Sequence, residues 1–252
     1  MSRVLDLSGS LVVSFARNWR GSVSSKQDFQ PEKPIKLYDR ENCGECRLVR
    51  EALTELNLNV DIYPCPVGGT EYLPVLEMET GHAKVPCLWD ENTGEKVIGA
   101  DRIVSYLYRQ YRQKPAPAKY ASTVFNALSN QLADTVRSGH GDKAKPAKRV
   151  TQLLTLYSFE SSPYSRLVRE RLCEYELPYH LINIGKQQMA DVGPANLRMT
   201  LKPYRPIENT KRWHFWKTHG NVQVPYIIDP NTSTAMFESA EILGYLDNVY
   251  GL

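Results

Sequence analysis

The 252-residue sequence has no uncharged apolar run near the ~18 residues that a membrane helix requires, which excludes spanning helices. It has no marked excess of either charge: 31 Lys+Arg against 28 Asp+Glu leave +3, too little to argue for nucleic acid. Cysteine is scarce, and five scattered residues in a chain this long make no secreted disulfide framework. A compartment that keeps thiols reduced follows, the cytoplasm or an organellar stroma or matrix. There is no second C-x-x-C and no H-x-x-x-H, so a lone cysteine pair is at most half a zinc site. With 42% hydrophobic and 23% charged residues, a disordered tail, a collagen and a coiled coil are all excluded. What remains is a globular chain of one large or two small domains, with Cys43 and Cys46 spaced C-x-x-C.

Charge is uneven along the chain. Residues 33–113 and 151–252 are near neutral, whereas 114–150 hold seven basic groups against two acidic ones, together with Pro115, Pro117, Gly139, Gly141 and Pro146. Two globular units joined by a basic, solvated connector follow. An internal repeat fixes the organisation. LYDRENCGECRLVREALTELNL from Leu37 lies over LYSFESSPYSRLVRERLCEYEL from Leu156 without a gap, and 11 of 22 positions are identical, including the run RLVRE. At a second offset KVPCLWDENTG lies over QVPYIIDPNTS, with 20 more residues inside the second copy. The expected units are an N-terminal extension over 1–32, a first copy over 33–113, a helical connector over 114–150 and a second copy over 151–252.

Each copy reads strand, polar turn, amphipathic helix, strand, then a Val-Pro strand, a turn at Asp-x-Asn-Thr, another strand and a closing helix. This β-α-β…β-β-α order, with C-x-x-C at the first strand–helix junction, predicts an α/β fold of two tandem thioredoxin-like domains. Each domain is expected to hold its own four-stranded mixed sheet flanked by helices. Outside the copies, Val4, Leu7, Leu11, Phe15 and Trp19 form one helical stripe, read as a helix packed on a domain, with a targeting segment as the alternative. A second stripe runs from Ala121 to Val136. The basic, aromatic interval 186–220 is expected to dock on its own domain.

A thiolate, and not a thiol, attacks a disulfide. Cys43 at a helix start meets unsatisfied N–H groups and the positive end of the helix dipole, both of which favour the anion, and Arg40 and Arg47 are near enough in sequence to add to this. Cys46, one turn on, is the more buried partner that releases a mixed disulfide. Val85-Pro86, some 40 residues later and repeated as Val224-Pro225, stands where thioredoxin-like folds carry a cis-proline facing the sulfurs; a plain strand-initiating trans-proline is the alternative. Gly99-Ala100-Asp101 and Glu238-Ser239-Ala240 offer N–H groups at a helix start, ready for a carboxylate. Zinc on Cys43 and Cys46 would need Cys65, Cys87 or His82 to converge with them.

LYDRENCGECRLVREAL, KVPCLWD and IGADRI together resemble a glutaredoxin. LYSFESSPYSRLVRERL, QVPYIIDPNT and FESAEILGYL resemble the amino-terminal domain of glutathione transferases, and the chain as a whole resembles tandem proteins carrying two such domains. The resemblance implies glutathione as cofactor, Cys43 as nucleophile, Cys46 as resolver, and glutathione contacts at Val85, Pro86, Ala100 and Asp101. In the second copy it implies contacts at Ser162, Val224, Pro225, Glu238 and Ser239. There SPYS replaces both sulfurs by oxygen, Ser162 for Cys43 and Ser165 for Cys46, so that copy has no thiol redox chemistry. No all-helical domain is expected after it, and transferases of this kind use one for the electrophile. A glutathione-dependent thiol–disulfide oxidoreductase is expected, acting on protein or small-molecule disulfides, without nucleic acid or membrane partners. The alternatives are a transferase or lyase working from Ser162, and a non-enzymatic platform holding glutathione or an iron–sulfur cluster.

Overall fold

The computed structural model describes residues 2–16, 19–120, 139–193, 198, 200 and 203–252. Helix α1 (Ser2–Ala16) precedes the first copy, which runs β1 (Ile35–Asp39), α2 (Gly44–Leu56), β2 (Val60–Pro64), α3 (Leu73–Thr80), β3 (Cys87–Asp90), β4 (Glu95–Ile98) and α4 (Ala100–Arg112). The second copy repeats the order as β5 (Leu154–Ser158), α5 (Pro163–Glu174), β6 (Tyr179–Asn183), α6 (Lys211–His219), β7 (Tyr226–Asp229), β8 (Thr234–Phe237) and α7 (Ser239–Tyr250). The helical stripe expected over 121–136 lies outside the described residues. Among the described residues no helix is long and apolar enough to cross a membrane.

Two separate four-stranded sheets were expected, and the structure has one sheet of eight strands, ordered β4-β3-β1-β2-β6-β5-β7-β8. Within each half the middle pair is parallel (β1 with β2, β5 with β6) and the outer strands are antiparallel. The halves join where β2 meets β6 antiparallel, Val60 opposite Leu181, Asp61 opposite His180 and Ile62 opposite Tyr179. Asp61 and His180 occupy the same position in the two copies, so a pseudo-twofold axis passes through this pair. Pairing β2 with β6 removes two exposed strand edges, the usual route to unwanted association.

Strand alternation sends Leu37 and Leu88 to one face and Tyr38 and Cys87 to the other. On the first face α2, α4, α5 and α7 cover a single apolar core that runs through both copies, from Leu53 and Ile103 to Leu172 and Ile242. Each such Leu or Ile contributes about 1.5–3 kcal/mol by leaving water. On the second face α3 seats Leu76, and α6 seats Phe215 against Ile184, Val222 and Tyr226. The aromatic interval therefore does pack on its own half. The repeated Asp-x-Asn-Thr is a structural pin. Asp90 accepts from Asn92, Tyr106 and Tyr111, and Asp229 likewise from Asn231, Tyr245 and Tyr250, tying each hairpin to its closing helix.

The identical run RLVRE has its explanation between the halves. Arg50 donates through Nε to Glu160 at 2.9 Å, and Arg169 donates to Glu41 at 2.8 and 3.1 Å, so each copy's arginine reaches the other copy's glutamate. All four side chains are at most 4% exposed. The segments ahead of each copy are exchanged in the same sense. Ser161 N donates to Gly21 O at 3.2 Å and Asn42 N donates to Gly141 O at 3.3 Å. Ser22 and Ser24 bracket Lys186 with backbone hydrogen bonds, as Asp142 and Ala144 bracket Val67. Part of the segment preceding the first copy, residues 21–24, thus bonds to the second, and part of the segment preceding the second, residues 141–144, bonds to the first. Gly21 (φ +71°) and Gly141 (φ +65°) pass so close to Glu160 and Glu41 that a Cβ would fall 2.7 and 3.0 Å from those side chains.

Candidate active site

Cys43 stands at the N-cap of α2 with extended backbone, and its sulfur accepts from Cys46 N at 3.5 Å. Cys43 is partly exposed, while Cys46 is fully buried and accepts from Arg40 N at 3.4 Å. The hydrogen bond from the Cys46 thiol, aided by the Cys46 N–H and opposed by burial, brings the Cys43 thiol down to about 7. Burial, together with donation toward Cys43, holds the Cys46 thiol well above its ordinary range. One sulfur is thus an accessible thiolate near neutral pH and its neighbour a protonated thiol.

Arg40 and Arg47 were singled out by nearness in sequence, and the structure brings a third arginine to the site. Arg40 turns its Nε to Cys65 O at 3.0 Å. The cation favouring the Cys43 thiolate is Arg50, with Asp39 opposing it. Arg50 Nη1 donates to both Asp39 oxygens at 2.8 and 2.7 Å and to Arg40 O at 3.2 Å, and Nη2 donates to Glu41 O at 3.0 Å. Its guanidinium thereby grips the backbone leading into Cys43. The RLVRE identity was the available signal for it.

The remaining first-copy residues gather at the same end of the sheet by register. Cys87 pairs with Tyr38, near the end of β1 that leads to Cys43, and Ile98 pairs with Cys87. Val85-Pro86 is cis, with Val85 partly exposed. Gly99 N donates to Pro86 O at 3.0 Å, and Gly99, at φ +92°, opens α4 with Ala100 buried and Asp101 exposed. Cys65 and Cys87 lie in the apolar cluster with Tyr38 and Leu76, and burial pushes the Cys87 thiol up to about 11 and that of Cys65 higher still. Neither is a thiolate at neutral pH. No group of three or more metal-ligating side chains occurs among the described residues. A groove of about 420 Å³ between Tyr72, Lys145, Arg149 and Tyr175 has no cysteine in its lining.

The second copy keeps the frame and closes the centre. Val224-Pro225 is cis, and Glu238, exposed and at φ +66°, caps α7 ahead of Ser239. Glu238 accepts from Gln223. Ser162 caps α5 by accepting from Ser165 N at 3.3 Å, yet it is only 2% exposed, and Ser165 is fully buried. Helix α1 covers them. Ser10 Oγ donates to Pro163 O at 2.8 Å, Ser14 Oγ donates to Ser161 O at 2.9 Å, and Arg166 Nη1 donates to Ser10 O at 2.6 Å. The face that α1 turns inward is therefore Ser10, Val13 and Ser14, and Phe15 of the expected apolar stripe is 67% exposed. Small side chains permit the close approach, and their hydroxyls satisfy carbonyls of the 161–163 turn. Because β1 and β5 run in opposite directions, the strand ends that lead to Cys43 and to Ser162 point opposite ways along the sheet.

No curated protein and no solved structure matches the chain. A family model does, and it matches twice. The glutathione S-transferase N-terminal domain model covers residues 37–115 and 156–252, the two copies that the repeat delimits and well over half of the chain. With its thioredoxin-like strand order, its two cis Val-Pro bonds and this double match, the chain belongs to the glutathione S-transferase N-terminal domain family, with two such regions in tandem.

Proposed function

We propose that this protein is a glutathione-dependent thiol–disulfide oxidoreductase in which the first copy is catalytic and the second is its structural partner. The observation that carries the reading is the unequal pair of sulfurs, Cys43 accessible and held down to about 7 at a helix N-cap, and Cys46 buried and protonated behind it. The Cys43 thiolate attacks one sulfur of a substrate disulfide; a Cys43–substrate disulfide forms and the other half of the substrate leaves as a thiolate, which takes up a proton. Cys46 then loses its proton and attacks the Cys43 sulfur. The substrate's second half departs as a thiol and the Cys43–Cys46 disulfide remains. Two equivalents of glutathione, a small thiol reductant, return the pair to the dithiol and leave as glutathione disulfide. The residues suited to hold glutathione are the partly exposed Val85 beside cis-Pro86 and the start of α4 at Ala100 and Asp101.

A transferase centred on Ser162 has less support, because that hydroxyl is 2% exposed beneath α1. The test is turnover of a glutathione mixed disulfide. Cys43→Ser is expected to abolish reduction, and Cys46→Ser to retain the monothiol reaction. Full activity in Cys43→Ser would overturn the reading, and conjugation of an electrophile lost in Ser162→Ala but kept in Cys43→Ser would favour the alternative.

A further inference from the structure

The four buried charges between the copies do more than join them. Arg50 is fixed at three places: by the Asp39 carboxylate, by the carbonyls of Arg40 and Glu41, and by Glu160 of the other copy. Arg40 and Glu41 belong to the turn that ends in Cys43, and the Arg40 N–H donates to Cys46 Sγ. A chain of direct contacts therefore runs from the second copy into the sulfur pair: Glu160 carboxylate, Arg50 guanidinium, the 40–41 backbone, Cys46 and Cys43. The planar fork matters here, because Nε faces Glu160 of the other copy, Nη1 faces Asp39 and the turn, and Nη2 lies between them, donating to Glu41 O at 3.0 Å and to Glu160 at 3.5 Å. An ammonium at the same place has no such geometry.

We propose that Arg50 is a positioning residue for Cys43, and that Glu160 of the second copy sets its orientation, so that the copy without sulfur completes the thiol site of the copy that has it. The mirror contacts fit this division of labour. Arg169 grips Phe159 O and Glu160 O as Arg50 grips Arg40 O and Glu41 O, but the turn it shapes ends in Ser162 and carries no thiol. The assignment rests on Cys43 being the nucleophile, and it is separable from turnover because its readout is the ionisation of Cys43 itself.

The experiment is the pH profile of Cys43 alkylation by iodoacetamide in the reduced full-length protein, with the modified residue located by peptide mass spectrometry. The native profile is expected to have its midpoint near 7. Glu160→Gln distinguishes the two physical outcomes by sign. If Glu160 acts only as a nearby negative charge, its loss lowers the midpoint; if it orients Arg50, its loss loosens the turn and raises the midpoint. The proposal expects a rise of about one pH unit, about tenfold slower alkylation at pH 6. Arg50→Lys, which keeps the charge and loses the fork, and Glu160→Asp, which keeps the charge and shortens the reach, are expected to raise it as well. Asp229→Asn breaks a tyrosine pin in the second copy and is expected to lower stability without moving the profile. A midpoint unchanged or lowered in whichever of the three Arg50 and Glu160 variants folds overturns the proposal. Native-like midpoints in an enzyme that does turn over disulfides would remove the positioning role and leave the oxidoreductase standing. Shifted midpoints without turnover would do the reverse.

Discussion

Replacing Glu160 by leucine takes one carboxylate away from two buried guanidinium groups. Glu160 Oε2 lies 2.9 Å from Arg50 Nε and 3.1 Å from Arg169 Nη2, and the three side chains are only 1–2% exposed, so water cannot take its place. Arg50 retains Asp39 and Arg169 retains Glu41, so neither charge is left wholly unpaired. Breaking a buried pair by deleting one partner costs about 3–5 kcal/mol, chiefly as the penalty on the charge left behind. In a chain of this size that is a fall of about 6–20 °C in melting temperature. Urea unfolding at pH 7, followed by far-ultraviolet circular dichroism, measures it directly. A second variant gives the result its meaning. Replacing Asp39, Glu41, Arg50, Glu160 and Arg169 together by apolar residues of similar volume is expected to be neutral or to stabilise by about 1–4 kcal/mol, because no charge then needs desolvating. The pair of results would show that the charges select how the halves dock and add little to net stability. A loss below about 1 kcal/mol in Glu160→Leu would refute the reasoning, since it would mean that the cluster is not desolvated.

Two other outcomes follow from the same interface. Burial alone would raise Glu41, but Arg169 and Arg50 hold its carboxyl down to about 2, so it contributes stability above the ordinary carboxylate range that is lost as pH falls from about 4.5 toward 2. Acid unfolding of Glu41→Gln is expected to lack that part of the pH dependence, and parallel curves for the two proteins would count against it. Gly68→Ala and Gly21→Ala both place an alanine at positive φ, a cost of about 1–2 kcal/mol. Only at Gly21 does the new Cβ meet another side chain, Glu160 Cβ at 2.7 Å, whereas at Gly68 nothing lies within 4 Å. The urea midpoint of Gly21→Ala is expected to fall clearly further; equal losses would mean that the 19–25 segment yields without cost.

Much of each half was legible in the sequence because the signals are local. Alternating apolar residues mark β1 and β5, helical spacing marks α2 and α5, and a cysteine before a helical stripe becomes an N-cap. The joining of the halves was not legible. Val60 and Ile62 read as one face of a strand whether β2 ends the sheet or continues into β6, since edge pairing uses backbone groups common to all residues. The exchange of the leading segments was hidden for the same reason: many of its hydrogen bonds are backbone to backbone, as at Gly21, Gly141, Ser22 and Ser24. Arg50 was visible as an identity and invisible as a buried group, because arginine is ordinarily a surface residue and the carboxylates that make its burial tolerable, Asp39 and Glu160, lie elsewhere in the sequence. Ser162 was read as an available hydroxyl, and nothing in its own segment records that Ser10 and Ser14, some 150 positions earlier, close over it.

A residue on a twofold axis faces its own twin when the two halves are identical chains. In this protein that place is held by Asp61 and His180, directly opposite each other and hydrogen-bonded at 2.6 Å. Were either half to pair with a copy of itself in this register, aspartate would face aspartate, with like charges opposed, or histidine would face histidine without its carboxylate partner. Within this single chain the two equivalent positions differ, and they are complementary. Each half therefore carries, at the centre of its joining strand, a side chain that suits its covalent neighbour and not another copy of itself.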